Sequence, residues 1–223
     1  MAALREQVAG LLREKKYETV LELARKDRRT VRIMMGLLYH DEELVRWRTV
    51  TMFGHLAAAE PGMVRPFIVR LLWSLSEESS IVGWGSAQAL GEIARRNPGI
   101  SKEAVRVVVH YPDDEELSQP ANRNTYMLTG AIWATGNLAD EEPALTREMG
   151  PLLIRFLDDP DPGVRAHSAW ALGRIGYAGG QVGIKCLLND EEPATIYIGD
   201  ELVEMKVKDA AAGALEDLKV KGL

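Results

Sequence analysis

The sequence has a single cysteine and few aromatic residues, and it lacks any long apolar run. Cys186 cannot form an intrachain disulfide, and one thiol cannot build a thiolate metal site by itself. No stretch approaches the roughly 18 consecutive apolar residues that a transmembrane helix requires. Residues 1–16 mix Arg and Glu with short apolar stretches, unlike a signal peptide. We therefore expect a cytoplasmic protein with no contact with a membrane.

The charge balance is acidic, with 27 Lys and Arg against 33 Asp and Glu and a net charge of −6. This argues against broad binding to nucleic acid or anionic lipid. Residues 1–40 depart from the average, because they carry nine basic and five acidic side chains, densest at Arg25 to Arg29. This basic end is either a solvated connection between helices or a docking point for an acidic partner or a phosphate.

Motifs for catalysis and for metal binding are missing. The four histidines, at 40, 55, 110 and 167, follow no ligand spacing, and nucleotide-binding and nucleophile motifs are absent. Acidic clusters recur before several predicted helices, where they are expected to cap helix N-termini rather than to bind a metal. Cys186 lies in an apolar segment and is expected to be a buried structural thiol. The sequence therefore predicts no catalytic residue, no metal and no cofactor.

A repeat organises the chain. A recurrent anchor position holds Gly54, Gly91, Gly136, Gly173 and Glu216, at spacings of 37, 45, 37 and 43 residues. A period of about 40 residues is typical of two-helix repeats. The position five before each anchor is always small, and the position two after it is always Leu or Ile. On a helix these positions share one face, so each unit is predicted to end in an inner helix packed closely on its neighbours.

The repeat is clearest from Leu157 to Ile175, where an acidic turn leads into Val-Arg-Ala-His-Ser-Ala-Trp-Ala-Leu-Gly-Arg-Ile. This pattern resembles a HEAT-like repeat, similar to the short repeats of phycobilin lyases. The resemblance implies an all-α, right-handed α-α superhelix of about five helical hairpins, forming a single domain over 1–223. Residues 1–29 would be capping helices and 30–218 the repeats. Alternating branched residues around Gly199-Asp200 predict a β-hairpin inserted at 194–207.

Four tryptophans lie in phase on consecutive inner helices, on the side opposite the small residues. If the inner helices line a concave groove, as the resemblance implies, these rings project into it with cations on either side. Trp and Arg contribute much of the binding energy at protein interfaces. The competing interpretation is that the rings fill gaps between helices. The candidate binding residues are Trp47, Trp84, Trp133, Trp170, Arg46, Arg165, Arg174 and His55.

Within this set Trp84 is the strongest candidate for a contact. Gly83 and Gly85 flank it where the first repeat has arginines, and glycine destabilises a helix by roughly 1 kcal/mol. The pair predicts either an unusual turn or a close approach to the backbone.

Three functions remain open. The first is a non-enzymatic scaffold that binds a protein or peptide in the aromatic groove. The second, implied by similarity to bilin lyases, is a tetrapyrrole-binding lyase or chaperone in which Arg46 or Arg165 pairs with propionates. The third is an alkylpurine DNA glycosylase, which such helical repeats also resemble. Its basic groove and Trp-Asp element are absent here, so no nucleic-acid partner is expected, and the oligomeric state stays open.

Overall fold

A computed structural model describes residues 2–76, 84–100, 102–113 and 123–223. Of these described residues 77% are helical, and the predicted all-α repeat fold with one small hairpin is confirmed. Its contacts cluster into two compact units. The first unit comprises Met1–Val105 with Gly199–Glu201, and the second comprises Arg106–Ile198 with Leu202–Leu223.

Six helices form most of the first unit. They are α1 (Ala2–Arg13), α2 (Tyr17–Lys26), α3 (Arg29–Leu37), α4 (Glu43–Ala59), α5 (Pro61–Ser76) and α6 (Ser86–Arg96). The inner helices predicted for the first two repeats are α4 and α6, which pack directly against each other.

The boundary between the units falls within α7 (Lys102–His110). Then follow α8 (Thr125–Asn137), α9 (Pro143–Glu148), α10 (Gly150–Arg155), α11 (Pro162–Ile175), α12 (Gln181–Cys186), β1 (Pro193–Ile198), β2 (Glu201–Lys206) and α13 (Val207–Val220). Inner helices α8, α11 and α13 pack side by side, with α11 in contact with both of the others. Among the described residues, none of the helices combines the length and hydrophobicity needed to cross a membrane.

The small residues of the repeat lie at the contacts between inner helices, as predicted. The position five before each anchor is 0% exposed in all five repeats, at Thr49, Ser86, Ala131, Ser168 and Ala211. The anchor glycines explain why. A β-carbon at Gly173 would lie 2.7 Å from the Cα of Ala214 in α13, and one at Gly136 would lie 2.5 Å from the ring of Trp170. At Gly173 the helix backbones are therefore too close for a side chain, and at Gly136 the Trp170 ring occupies the space that a side chain would need.

The acidic turns do more than cap helices. Asp161 caps α11, since its Oδ1 accepts a hydrogen bond from the Val164 amide at 3.1 Å. Other turn acids form ion pairs with an arginine from an earlier part of the chain. These pairs join Arg13 to Glu42, Arg123 to Asp159, and Arg165 to Asp190. The turn acids therefore also connect separate helical elements.

The hairpin is a two-stranded antiparallel sheet of β1 and β2. Gly199 and Asp200 form its turn with φ angles of +59° and +67°, the left-handed conformation that a tight hairpin turn requires. The turn residues lie in the first unit, where the guanidinium of Arg48 donates to the Asp200 carbonyl oxygen at 3.2 Å. The hydroxyl of Thr51 donates to the Asp200 carboxylate at 3.0 Å.

The close approach of α11 and α13 makes a stability prediction. Gly173→Ala places a methyl group against backbone, so it should lower the free energy of unfolding by about 1 to 3 kcal/mol. Gly213→Ala is the matched control, because Gly213 lies in α13 with nothing within 4 Å of an added β-carbon. It should raise stability by up to about 1 kcal/mol through helix propensity. Urea denaturation measures both, and equal effects of the two substitutions would contradict the packing described here.

A buried histidine makes stability depend on pH. His167 is 5% exposed, and its Nδ1 lies 2.8 Å from the carbonyl oxygen of Gly163. Burial lowers its pKa to about 4. In the unfolded chain the His167 imidazole is protonated below about pH 6.5, whereas in the folded chain it stays neutral until about pH 4. The free energy of unfolding therefore falls as the pH is lowered from about 6.5 to about 4.

His167→Gln should remove this contribution, which amounts to about 3 kcal/mol between pH 6.5 and 4. Denaturation midpoints of the two proteins should therefore converge as the pH is lowered through this range. Parallel pH profiles for wild type and variant would show that the folded state carries no penalty for protonation.

Candidate functional site

In the first unit the structure brings three of the candidate residues together. The indoles of Trp47 and Trp84 meet edge to face, with ring centroids 6.1 Å apart. The guanidinium carbon of Arg46 lies 4.4 Å from the centroid of Trp84. Trp84 is half-buried, whereas Trp47 is only 6% exposed. Trp84 is thus the outward-facing member of a packed Trp-Trp-Arg cluster.

Arg46 is held in this cluster by its own chain. Its Nη1 donates to the main-chain oxygens of His40 at 2.8 Å and Asp41 at 3.2 Å, in the turn before α4. These bonds fix the plane of the guanidinium over the indole. A cation over an indole face contributes roughly 0.5 to 1 kcal/mol at an exposed site. The pair is therefore preorganised, and the bonds place the planar cation on one face of the Trp84 ring.

The turn that carries Trp84 is unusual, which was one of the two alternatives predicted from its glycines. Gly85 adopts a left-handed conformation with φ +77° and forms the N-cap of α6. A β-carbon there would also lie 3.2 Å from the side chain of Leu38. Gly85 is therefore required by the left-handed backbone conformation of the turn. Gly83 lies outside the described residues.

His55 belongs to a different ring pair. It stacks on Tyr17 of α2 with ring centroids 4.8 Å apart and planes inclined by 19°. Burial, together with the charge of Arg96, lowers the pKa of its imidazole. His55 is therefore a neutral, half-buried ring at pH 7.

The second unit covers Trp133, contrary to the expectation of an open groove. Trp133 is 4% exposed, and its Nε1 donates to the main-chain oxygen of Tyr197 in β1 at 2.8 Å. The Tyr197 ring lies close to the indole, with centroids 6.2 Å apart, and β1 also packs on α11. Of the two alternatives predicted for these rings, projection into a groove is thus wrong for Trp47 and Trp133, and packing holds for both. Their rings are covered by packing, and a buried indole N–H finds an acceptor.

The remaining candidates of the second unit lie apart from one another. Trp170 is half-buried and its ring lies over Gly136, so it fills the space between α8 and α11. Arg165 donates to the Asp190 carboxylate at 2.7 Å and to the Asp159 carbonyl oxygen at 2.7 Å. Arg174 contacts Asp140 at 3.0 Å on the surface. Arg165 thus holds a turn in the way that Arg46 does in the first unit.

Two exposed side chains escaped sequence reasoning. Trp73 of α5 is 71% exposed, and it lies outside the inner helices that carry the predicted binding residues. The apolar residues Pro66, Val69 and Trp73 recur at helical spacing, which is a signal that could have identified an exposed stripe. Cys186 is also exposed rather than buried, with its Sγ donating to the Val182 carbonyl oxygen at 3.4 Å. Ile184 is the buried residue of α12, and Cys186 lies with the exposed Val182 on the other side of the helix.

The burial of Trp133 predicts a large effect on stability. Trp133→Ala removes a packed ring and leaves the Tyr197 carbonyl without its donor, so it should cost about 3 to 5 kcal/mol. Trp73→Ala is the matched control on an exposed helix face and should stay within about 0.5 kcal/mol of wild type. Chemical denaturation followed by circular dichroism measures both. A Trp133→Ala cost as small as that of the control would place the ring in solvent.

Comparison with known proteins supports the fold. The profile of the HEAT-like repeat family matches residues 126–175, which include all but the first residue of α8 and the whole of α11. An uncharacterised protein of Archaeoglobus fulgidus is 27% identical over 184 residues, which is 82% of this chain and 94% of that protein.

Solved structures with a similar fold include designed repeat proteins. A designed armadillo repeat protein in complex with the peptide (KR)4 has a TM-score of 0.54 and 18% identity, covering 95% of this chain and 98% of its own. Computationally designed armadillo repeat proteins for modular peptide recognition give a TM-score of 0.51 at 20% identity, with the same coverage. At such identities the likeness concerns the fold alone. The family match, together with the repeat phase and the packed inner helices, shows that residues 126–175 are similar to a HEAT-like repeat within an all-α repeat fold.

Proposed function

We propose that this protein is a non-enzymatic binding scaffold that holds a protein or peptide segment against Trp84 and Arg46. The fold supports a role of this class, since designed armadillo repeat proteins of similar fold were made for modular peptide recognition, and one is seen in complex with the peptide (KR)4. The local geometry of the first unit supports the position of the site.

The Trp84–Arg46 pair is the observation that carries the proposal. Trp84 keeps part of its indole accessible while Trp47 supports its edge and Arg46 covers a face. A partner that contacts this ring meets a rigid surface, so little side-chain entropy is lost on binding. Tryptophan and arginine are also the residues most enriched among those that dominate binding energy at interfaces.

The arginines favour a peptide over a tetrapyrrole. Arg46 and Arg165, the two expected partners of propionate groups, both donate to main-chain oxygens of the turns before their helices. Arg165 is in addition paired with the Asp190 carboxylate. A propionate would have to compete with these contacts. A peptide can instead use the faces and edges of the aromatic rings.

A selection experiment tests the proposal. The immobilised protein is used to select binders from a phage-displayed library of random peptides of about twelve residues, and the enriched peptides are synthesised. Their affinity should fall at least about tenfold for Trp84→Ala, because loss of one interface tryptophan costs at least about 1.4 kcal/mol. The variant should keep the circular dichroism spectrum and melting temperature expected of a folded chain.

Trp73→Ala provides the control, since it removes an exposed tryptophan from another helix of the same unit. Peptides that bind at the proposed site should tolerate this change with less than about a twofold loss. If the library yields no enriched peptide, or if every enriched peptide binds Trp84→Ala as well as wild type, the proposed site is wrong.

A further inference from the structure

A second surface of the first unit has an unusual charge. Helices α3 and α5 contain four arginines and no acidic residue, and a fifth arginine, Arg28, is the N-cap of α3. Arg29 is paired with Asp27 at 2.7 Å. Arg28, Arg32, Arg65 and Arg70 are exposed and make no ion pair with any described residue. In a chain with a net charge of −6, this is a local excess of unpaired positive charge.

The arginines of α3 border a cavity with an apolar wall. Its volume is about 270 Å³, and its lining includes Arg28, Arg29 and Arg32 on one side and Met63, Pro66 and Phe67 of α5 on the other. Sites for drug-sized ligands begin at about 300 Å³ and enclose most of the ligand. A cavity of this size and lining fits one large apolar side chain with carboxylates beside it.

An exposed apolar stripe continues from the cavity along α5. Pro66, which lines the cavity, is followed at helical spacing by Val69 and Trp73, which are 60% and 71% exposed. Arg65 and Arg70 are exposed on the same side of the helix. An apolar stripe bordered by charge of one sign is typical of a protein interaction surface.

We infer that this surface, formed by the arginines of α3 and α5 with Pro66, Val69 and Trp73, binds an acidic amphipathic peptide segment of a partner protein. Carboxylates of the segment pair with Arg28, Arg32 and Arg65, because a guanidinium binds a carboxylate through two parallel hydrogen bonds. One apolar side chain enters the cavity and another packs on Trp73. The surface lies on α3 and α5, so it is distinct from the Trp84–Arg46 site proposed above.

Charge complementarity selects this partner over other anions. Nucleic acid and anionic membranes attract basic surfaces through charge alone, and the remainder of this chain repels them. They make no use of a cavity lined by Met63 and Phe67. An acidic segment with apolar residues uses both features, and it would find few competing basic surfaces on a chain that is acidic elsewhere.

Fluorescence anisotropy with a defined probe tests the inference. The probe is a fluorescein-labelled peptide in which pairs of Asp or Glu alternate with Leu or Phe, and its control carries Lys in place of each acid. The full-length protein should bind the acidic probe at least about ten times more tightly than the basic control. Arg32→Glu and Trp73→Ala should each weaken binding about tenfold or more, while Trp84→Ala should leave it within about twofold.

Three results would overturn the inference. Affinity for the probe that is insensitive to Trp73→Ala would mean that the surface only attracts anions. Tighter binding to duplex DNA or to phosphatidylserine vesicles at ~150 mM salt, lost in Arg32→Glu, would assign the surface to another class of partner. A dimer in light scattering that Trp73→Ala dissociates would assign it to a second copy of the chain. Because the surface is exposed, unchanged melting temperatures show that each variant is folded.

Discussion

The close approach of neighbouring inner helices is the constraint on which the structure depends. Where a β-carbon at Gly173 would meet the Cα of Ala214, the two backbones pack with no side chain between them. The small residues five positions earlier are fully buried for the same reason. Close backbones leave little interior volume along that line, and a large ring fits there only where the facing residue has no side chain. The Trp170 ring lies over Gly136 of α8, whereas the Trp133 ring is covered by β1.

Arginine has a structural role in this chain before it has any role in binding. Arg46 and Arg165 occupy equivalent repeat positions, and both donate to carbonyl oxygens five and six residues earlier. The Val-Arg signature of the repeat is thus explained by hydrogen bonding. Its arginine donates to carbonyl oxygens of the turn, which accept no hydrogen bond from a helix. In the proposed site, Arg46 contributes through its contact with Trp84, whose ring lies beneath the guanidinium.

The repeat phase, the buried stripe and the hairpin could all be predicted from the sequence, because each follows from local periodicity or turn chemistry. The burial of Trp133 could not. Its acceptor is a main-chain oxygen of Tyr197, far away in the sequence, and a carbonyl group leaves no residue signature. The exposure of Trp73 was not predicted for a different reason. This residue lies outside the inner helices, and the repeat pattern was defined on those helices. The Gly85 turn shows the intermediate case, in which the anomaly was visible but only the φ angle identified its cause.

The buried pair of Arg123 and Asp159 restricts how a chain of this kind can be lengthened by duplication of repeats. The two side chains are 2% and 5% exposed, and they join the start of one repeat's inner helix to the turn of the next. A gene duplication that copied α8 without the following turn would leave a buried guanidinium without its carboxylate, which costs several kcal/mol. Arg165 and Asp190 repeat the arrangement one step later. A duplicated repeat in this half of the chain therefore keeps its arginine paired only if the copied segment contains both members of such a pair.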